Sequence, residues 1–535
     1  MVCAPANKAV RLLVEKTCVA MPTVKVALTG VAKDLPDSLL HVYINEYVER
    51  ACDKLQRVCD FSNLKQGLAK ALNLPMTKQE LENLRAAFQT VFMRVSESLQ
   101  DNINLCENLA TKNHFQTNAT SLREINNLTS ELGNHPLLTS LKKLEDFVND
   151  CINDLISNPT NHWPSLSSSS TSRKTQNKPA ASQLQKNMEH DLEQRMAKLY
   201  SDLSLYIEVF QRASETVEIL MLQQAQIIFC TLISSGRSWL YKFVNKVNVL
   251  IIDEAGQAVE PEALIPLKFR PDKCLHVGDT QQLPATVLSK AAQHYQFDRS
   301  MMLRLTRNNA NLSQMLDIQY RMHPAICKWP SNQYYNGRLQ PDQSLLQRIS
   351  PLMQADIDHR LQAPCVFFDV DSEEDKQNVV KYGIKNIKEA DSLLEALAYF
   401  LKFLKPQQIG VISFYAAQIM YLKDKLNKLP DLRARDVMVS TVDGFQGEEK
   451  DVIMISAVRT TESVGFLRDD RRVNVAVTRA CHHLYIFGNK RALGNSNSGF
   501  NSLLSHYANN NDECHVVSYS EVAPQFNKLA VSKRK

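Results

Sequence analysis

The sequence predicts an α/β protein of two parallel-sheet domains, the first interrupted by a long helical insertion. Three observations carry this. Short apolar runs, of which Val-Leu-Ile-Ile at 249–252 is the clearest, read as strands buried on both faces of a parallel sheet. Such runs alternate with helical periodicity near the amino end and again from residue 225 onward, and strand, helix, strand in repetition implies crossover connections. From about residue 35 the alternation stops, and a chain of 535 residues exceeds what one core serves. The expected division is a first sheet domain from 1–30 and 225–311, an insertion at 31–224, a second sheet domain at 312–495 and a carboxyl-terminal segment at 496–535.

In chain order, Val2 and Cys3 open a strand, Pro5 marks a turn, a helix starts near Asn7, and a strand at 24–28 closes at Gly30. The insertion shows Leu81, Leu84, Phe88, Val91, Val95 and Leu99, then Leu192, Met196, Leu199, Leu203, Tyr206 and Phe210, all at three- and four-residue steps. The heptads are not sustained, so a packed stalk on the parent domain is expected rather than a coiled coil. Between these helices, 158–186 holds a serine run, prolines and few apolar residues, and is expected to be a disordered linker. Strands follow at 227–231, 247–252 and 274–277, then at 366–370, 409–413, 437–440, 452–456 and 484–487, with a helix near 388–404.

The net charge of +5 is spread over the whole chain, so it permits a polyanionic partner without selecting one. Twelve scattered cysteines, with no C-x-x-C pair, exclude a zinc or disulfide framework and read as reduced thiols of a cytoplasmic or nuclear protein. No apolar run reaches membrane-span length, and Lys8, Arg11 and Glu15 break up any signal-peptide core.

The chemistry concentrates at strand ends. Asp253 and Glu254 follow the apolar run, where a carboxylate pair can hold Mg²⁺ and polarise a water beside a phosphate. GDTQQLP at 278–284 brings Asp279 and Gln282 to the same sheet edge, where an amide can contact a terminal phosphate. QYRMHP at 319–324 presents Arg321, whose planar fork suits phosphate, while His323 reads as structural. STVDGFQGEEK at 440–450 combines glycines that allow close backbone approach, Gly447 among them, with acids able to bind a ribose hydroxyl. RRVNVAVTRA at 471–480 places Arg472 and Arg479 on one helix, two guanidinium groups offered to one site.

These motifs, with CAPANKAV at 3–10, SNQYYNGRLQ at 331–340 and GVISFYAAQ at 410–418, stand in the order and spacing of superfamily 1 helicases. The sequence resembles most the branch that includes senataxin and the nonsense-mediated-decay helicase, over 1–30 and about 225–495. The resemblance implies two RecA-like domains of P-loop NTPase type that hydrolyse ATP with Mg²⁺ while stepping along single-stranded RNA or DNA. Asp253 and Glu254 would hold Mg²⁺, Gln282 would sense the γ-phosphate, and Arg321 and Arg479 would be arginine fingers. Tyr415 would stack on adenine and Glu449 meet the ribose, with Gln418, Gly447 and Arg472 completing the nucleotide site. Pro5, Asn7, Thr231, Ser331, Asn332 and Thr441 would line the nucleic acid, and the insertion could take a protein partner.

One departure stands out. The family's phosphate loop, G-x-x-x-x-G-K-[ST], is expected just before CAPANKAV, and the sequence contains no Gly-Lys pair. The first domain is therefore expected to be truncated at its amino end, to lack a central strand, and to hydrolyse ATP poorly. A second reading is a motor-dead, nucleic-acid-binding regulatory protein; a third is a helical scaffold built on the insertion.

Overall fold

A computed structural model describes residues 1–29, 44–59, 62–73, 76–112, 127, 129–157, 178–348, 350–375, 383–428, 431–461, 465–510 and 512–527. The chain divides into two compact units: Met1–Asp253 with Leu264–Leu275, and Glu254–Ala263 with His276–Lys535.

In the first unit, β1 (Val2–Ala4), α1 (Asn7–Ala20) and β2 (Val26–Thr29) open the fold. The helices α2 (Ile44–Val58), α3 (Ser62–Asn73), α4 (Lys78–Lys112), α5 (Pro136–Ser157) and α6 (Lys178–Gln224) follow. β3 (Ile227–Thr231), β4 (Val249–Ile252) and β5 (Lys273–His276) return to the sheet, whose order is β2-β3-β1-β4-β5. β1 pairs in parallel with β3 and β4, Cys3 lying in register with both Cys230 and Ile252. β1, the strand expected from Val2 and Cys3, is therefore paired on both sides. The open position is at the end, where β5 leaves three of its four residues exposed.

The insertion has its own core. Leu141, Leu144, Val148, Cys151, Ile152 and Leu155 on α5 are buried at helical spacing, and α5 packs against both α4 and α6. Burial of that apolar stripe, rather than helix propensity, holds elements of this length together. The linker expected at 158–186 lies outside the described residues as far as 177, and from Lys178 the chain is helical. Pro179 suits a first helical turn, where its missing N–H is not needed, and Ala180, Ala181, Leu184 and Gln185 are good helix formers. Gly30 lies outside the described residues.

The second unit contains α7 (Pro324–Tyr334), β6 (Cys365–Asp369), α8 (Ile387–Phe400), β7 (Ile409–Ser413), α9 (Ala416–Lys428) and β8 (Met438–Thr441). It continues with β9 (Lys450–Ser456), α10 (Asp470–Val477), β10 (Ala480–Gly488), α11 (Gly499–Ala508), β11 (Cys514–Ser518) and α12 (Tyr519–Asn527). The sheet order is β8-β7-β9-β10-β6-β11, with every pairing parallel. Alternate residues feed two cores: Cys365 and Phe367 join one face, Val366 and Phe368 the other. This is the α/β class expected, two parallel sheets with a helical insertion in the first. The edge strand β11 comes from the segment after 495, where no strand was expected. Among the described residues no helix is long and apolar enough to cross a membrane.

Candidate functional site

β9 and β10 start together, Lys450 in register with Ala480, so Glu449 and Arg479 emerge side by side at the amino edge of the second sheet. The Lys450 N–H donates to the Arg479 carbonyl at 3.1 Å. Arg321 reaches the same edge from a turn closed by its neighbour: Gln319 Oε1 accepts from the N–H groups of Arg321 (2.8 Å) and Met322 (2.7 Å). The His323 N–H docks this turn on the Cys481 carbonyl at 2.8 Å, and His323 Nδ1 accepts from Ala325 N–H to cap α7, the structural role expected of it. Arg321 Nε then pairs with the Glu449 carboxylate, and Nη1 donates to the Thr478 carbonyl at 3.3 Å.

Arg479 is only 2% exposed. It donates from Nε to the Val475 carbonyl at 3.0 Å and from Nη2 to Thr478 Oγ1 at 3.1 Å and Gln282 Oε1 at 3.5 Å. Burial first, and the Arg321 cation second, bring its guanidinium down to about 10, against the opposing pull of Glu254, Tyr335 and Glu449. It stays charged at neutral pH. Two neighbouring cations, one of them buried, form a place where a polyanion is strongly favoured. The donor set therefore fits a nucleotide polyphosphate.

Gln282 lies between Arg479 and Asp279, its Nε2 donating to Asp279 Oδ2 at 3.0 Å. Its loop nests on the one after Asp253 through glycines: a Cβ on Gly256 would sit 2.8 Å from the Asp279 carbonyl, and one on Gly278 would sit 2.9 Å from Ala255 N. Glu254 adopts a left-handed conformation (φ 51°) that few non-glycine residues accept, and its carboxylate accepts from Gln257 Nε2 at 2.5 Å. Asp253 closes β4, its N–H on the Cys3 carbonyl at 2.8 Å. Two consecutive carboxylates suit Mg²⁺, which takes most of its ligands from water and substrate phosphates. Among the described residues no group of three or more His, Cys, Asp or Glu side chains forms a metal cage.

Three expected members of the nucleotide site lie elsewhere. Ser413, Thr441 and Ser456 end β7, β8 and β9 in register, defining the carboxyl edge, about 20 Å along β9 from Lys450. Tyr415 follows that edge, is 6% exposed, and lies under Phe466 at 5.6 Å between ring centroids. Gln418 is fully buried: its Oε1 accepts from Asn386 N–H at 2.8 Å, and its Nε2 donates to the Asn386 carbonyl and to Ser456 Oγ. Arg472 binds Asp443 and Asp469 and lies over Phe466. The helix expected to carry both arginines ends at Val477, so Arg472 sits in its first turn while Arg479 lies beyond it, just ahead of β10, and the two hold different partners. Gly447 (φ 77°) lies in the loop that carries the chain from the carboxyl to the amino edge. The aromatic missed in the sequence is Tyr320, 61% exposed and adjacent to Arg321; its place inside QYRMHP was the available signal.

Of the expected nucleic-acid residues, Pro5 and Asn7 follow β1 and Thr231 ends β3 beside Ala4, all at the carboxyl edge of the first sheet. The Thr231 hydroxyl donates to Ser234 Oγ at 2.8 Å. In the second unit Asn332 is exposed, and Thr441 Oγ1 accepts from Gly444 N–H at 3.3 Å. Ser331 departs from expectation: it is 4% exposed and its hydroxyl donates to the Leu339 carbonyl at 2.7 Å, so it holds the turn after α7 instead of facing a ligand.

Residues 1–290 match the AAA_11 family model and residues 297–491 the AAA_12 model, each described as an AAA domain. The chain is 36% identical over 292 residues to "Helicase SEN1" of Saccharomyces cerevisiae, covering 52% of this chain and 13% of that protein. It is 34% identical over 318 residues to "Probable helicase senataxin" of Homo sapiens, covering 56% and 12% respectively. With "Regulator of nonsense transcripts 1 homolog" of Arabidopsis thaliana the identity is 35% over 293 residues, covering 53% and 23%. The chain thus spans less than a quarter of the length of these relatives.

Proposed function

Since the chain belongs to the superfamily 1 helicases of the branch that includes senataxin and the nonsense-mediated-decay helicase, we propose that it is part of an ATP-driven motor on single-stranded RNA or DNA. The observation that carries this reading is the convergence of Arg321, Arg479, Gln282 and Glu449 at one edge of the second sheet. Preorganised cations at that point stabilise the charge that develops as a phosphoryl group departs. Bound Mg²⁺-ATP would supply the phosphoanhydride bond whose cleavage drives movement, with Asp253 and Glu254 holding the metal. Glu449 is ion-paired with Arg321 here, so a ribose hydroxyl would compete with that arginine for the carboxylate. Tyr320, exposed beside Arg321, is the aromatic available to a base. Asn7, Thr231, Asn332 and Thr441 would meet the strand through its backbone, without regard to sequence.

The second reading is a regulatory protein that binds single strands without turnover. Steady-state ATP hydrolysis with and without a single-stranded oligonucleotide, against an Asp253→Ala control, separates the two readings. Stimulated turnover above the control supports the motor. Salt-dependent strand binding with no excess turnover supports the regulatory protein. The insertion, with its own core, is the segment proposed to take a protein partner, and the free thiols accord with a nuclear or cytoplasmic setting.

A further inference from the structure

Tyr335 ends α7 and is fixed there by its backbone. Its N–H bonds the Ser331 carbonyl at 3.0 Å, and Asn336 and Gly337, both left-handed, turn the chain sharply away behind it. Its hydroxyl donates to Asp279 Oδ2 at 2.6 Å and accepts from Asn474 Nδ2 at 2.8 Å. Asn474 is fully buried on α10 and also donates to the Gln281 carbonyl at 3.0 Å. Asp279 in turn binds Gln281 N–H at 2.8 Å and Gln282 Nε2 at 3.0 Å, while Leu283 anchors the same loop in the core of the second unit. One phenol therefore joins the end of α7, the middle of α10 and the loop carrying Gln282. Asn332, exposed on the last turn of α7, stands three residues before it.

We infer that Tyr335, assisted by Asn474, is a positioning residue that couples nucleotide at Gln282 to single-stranded nucleic acid at Asn332. The inference rests on the proposed function and adds to it a route. When a phosphate draws the Gln282 amide away from Asp279, the carboxylate rebalances toward the Tyr335 hydroxyl and shifts the end of α7. Nucleic acid acting on α7 works the same link in reverse, as linkage requires.

The test measures binding of a fluorescein-labelled single-stranded oligonucleotide to the full chain by anisotropy, alone and with saturating Mg²⁺ and a non-hydrolysable ATP analogue. Affinity for the analogue is measured separately. In the unaltered chain the analogue should change strand affinity by about fivefold or more. Tyr335→Phe should bring that ratio to within about twofold of one, with each single-ligand affinity and the melting temperature nearly unchanged. Asn474→Ala should move the ratio in the same direction. A purely structural tyrosine would lower the melting temperature and leave the ratio intact. If the unaltered chain binds both ligands with a ratio of one, or Tyr335→Phe keeps the original ratio, the coupling is overturned. If the unaltered chain binds neither ligand, the functional reading itself falls.

Discussion

Glu389 is wholly buried on α8, behind the carboxyl edge of the second sheet. One carboxyl oxygen accepts from the Ser456 hydroxyl and from Val458 N–H at 2.9 Å; the other has no hydrogen-bond partner among the described residues. Burial raises this group from the ordinary 4.5 to about 8, although the Ser456, Val458 and Ala457 hydrogen bonds oppose the rise. The unfolded chain therefore loses this proton near 4.5 while the folded chain keeps it to about 8, and in that window the native state binds more protons. Stability must fall as pH rises through the window. At about 1.4 kcal/mol for each pH unit, the ionised form above pH 8 carries a cost on the order of 5 kcal/mol relative to acid solution. Glutamine offers an oxygen to the same two donors and an uncharged group in place of the protonated oxygen, so Glu389→Gln should copy the acid form at every pH. The two proteins should melt alike near pH 5 and diverge by roughly 4–8 °C near pH 8, the variant being more stable. Circular dichroism melts across that range are the assay. Melting curves that shift in parallel for both proteins would refute the assignment of a buried neutral carboxyl.

Arg479→Ala should weaken binding of a non-hydrolysable ATP analogue about 10- to 100-fold, since a charge-assisted hydrogen bond is worth about 1.5–3 kcal/mol, and should leave strand binding without nucleotide intact; calorimetric titration reads both. Ser331→Ala should leave single-strand affinity within about twofold while costing about 1 kcal/mol of stability through the lost bond to Leu339. Asn332→Ala, read by the same anisotropy assay, should weaken the strand instead.

Strands were legible where burial on both faces leaves a continuous apolar run, as in Ile409–Ser413; Val249–Ile252 shows the same run, but only Leu250 and Ile252 are buried and Val249 is exposed, so one face of that strand stays open. Cys514–Ser518 escaped notice because an edge strand is half exposed and its run too short to stand out. The acids and arginines were legible as types, but their grouping was not. Which edge of a sheet a residue occupies depends on how far a loop carries the chain between strands, and periodicity is blind to that. Thus Glu449, at the far end of its loop, joins Arg479, whereas Tyr415 and Gln418 remain at the opposite edge. Ser331 shows the same limit on a smaller scale, because a hydroxyl looks available until the Leu339 carbonyl claims it.

The outward side of β5 sets a practical condition for anyone preparing this chain. Its amide and carbonyl groups face no further strand among the described residues, and Leu275 beside them is 47% exposed, with Cys274 also at the surface. A ribbon of that kind is a template for self-association, and Lys273 is its one charged gatekeeper. Concentrated samples should therefore clump slowly on standing, first by strand addition and then by oxidation of paired Cys274 thiols to disulfides by dissolved oxygen. Dilute storage under reducing conditions should delay both.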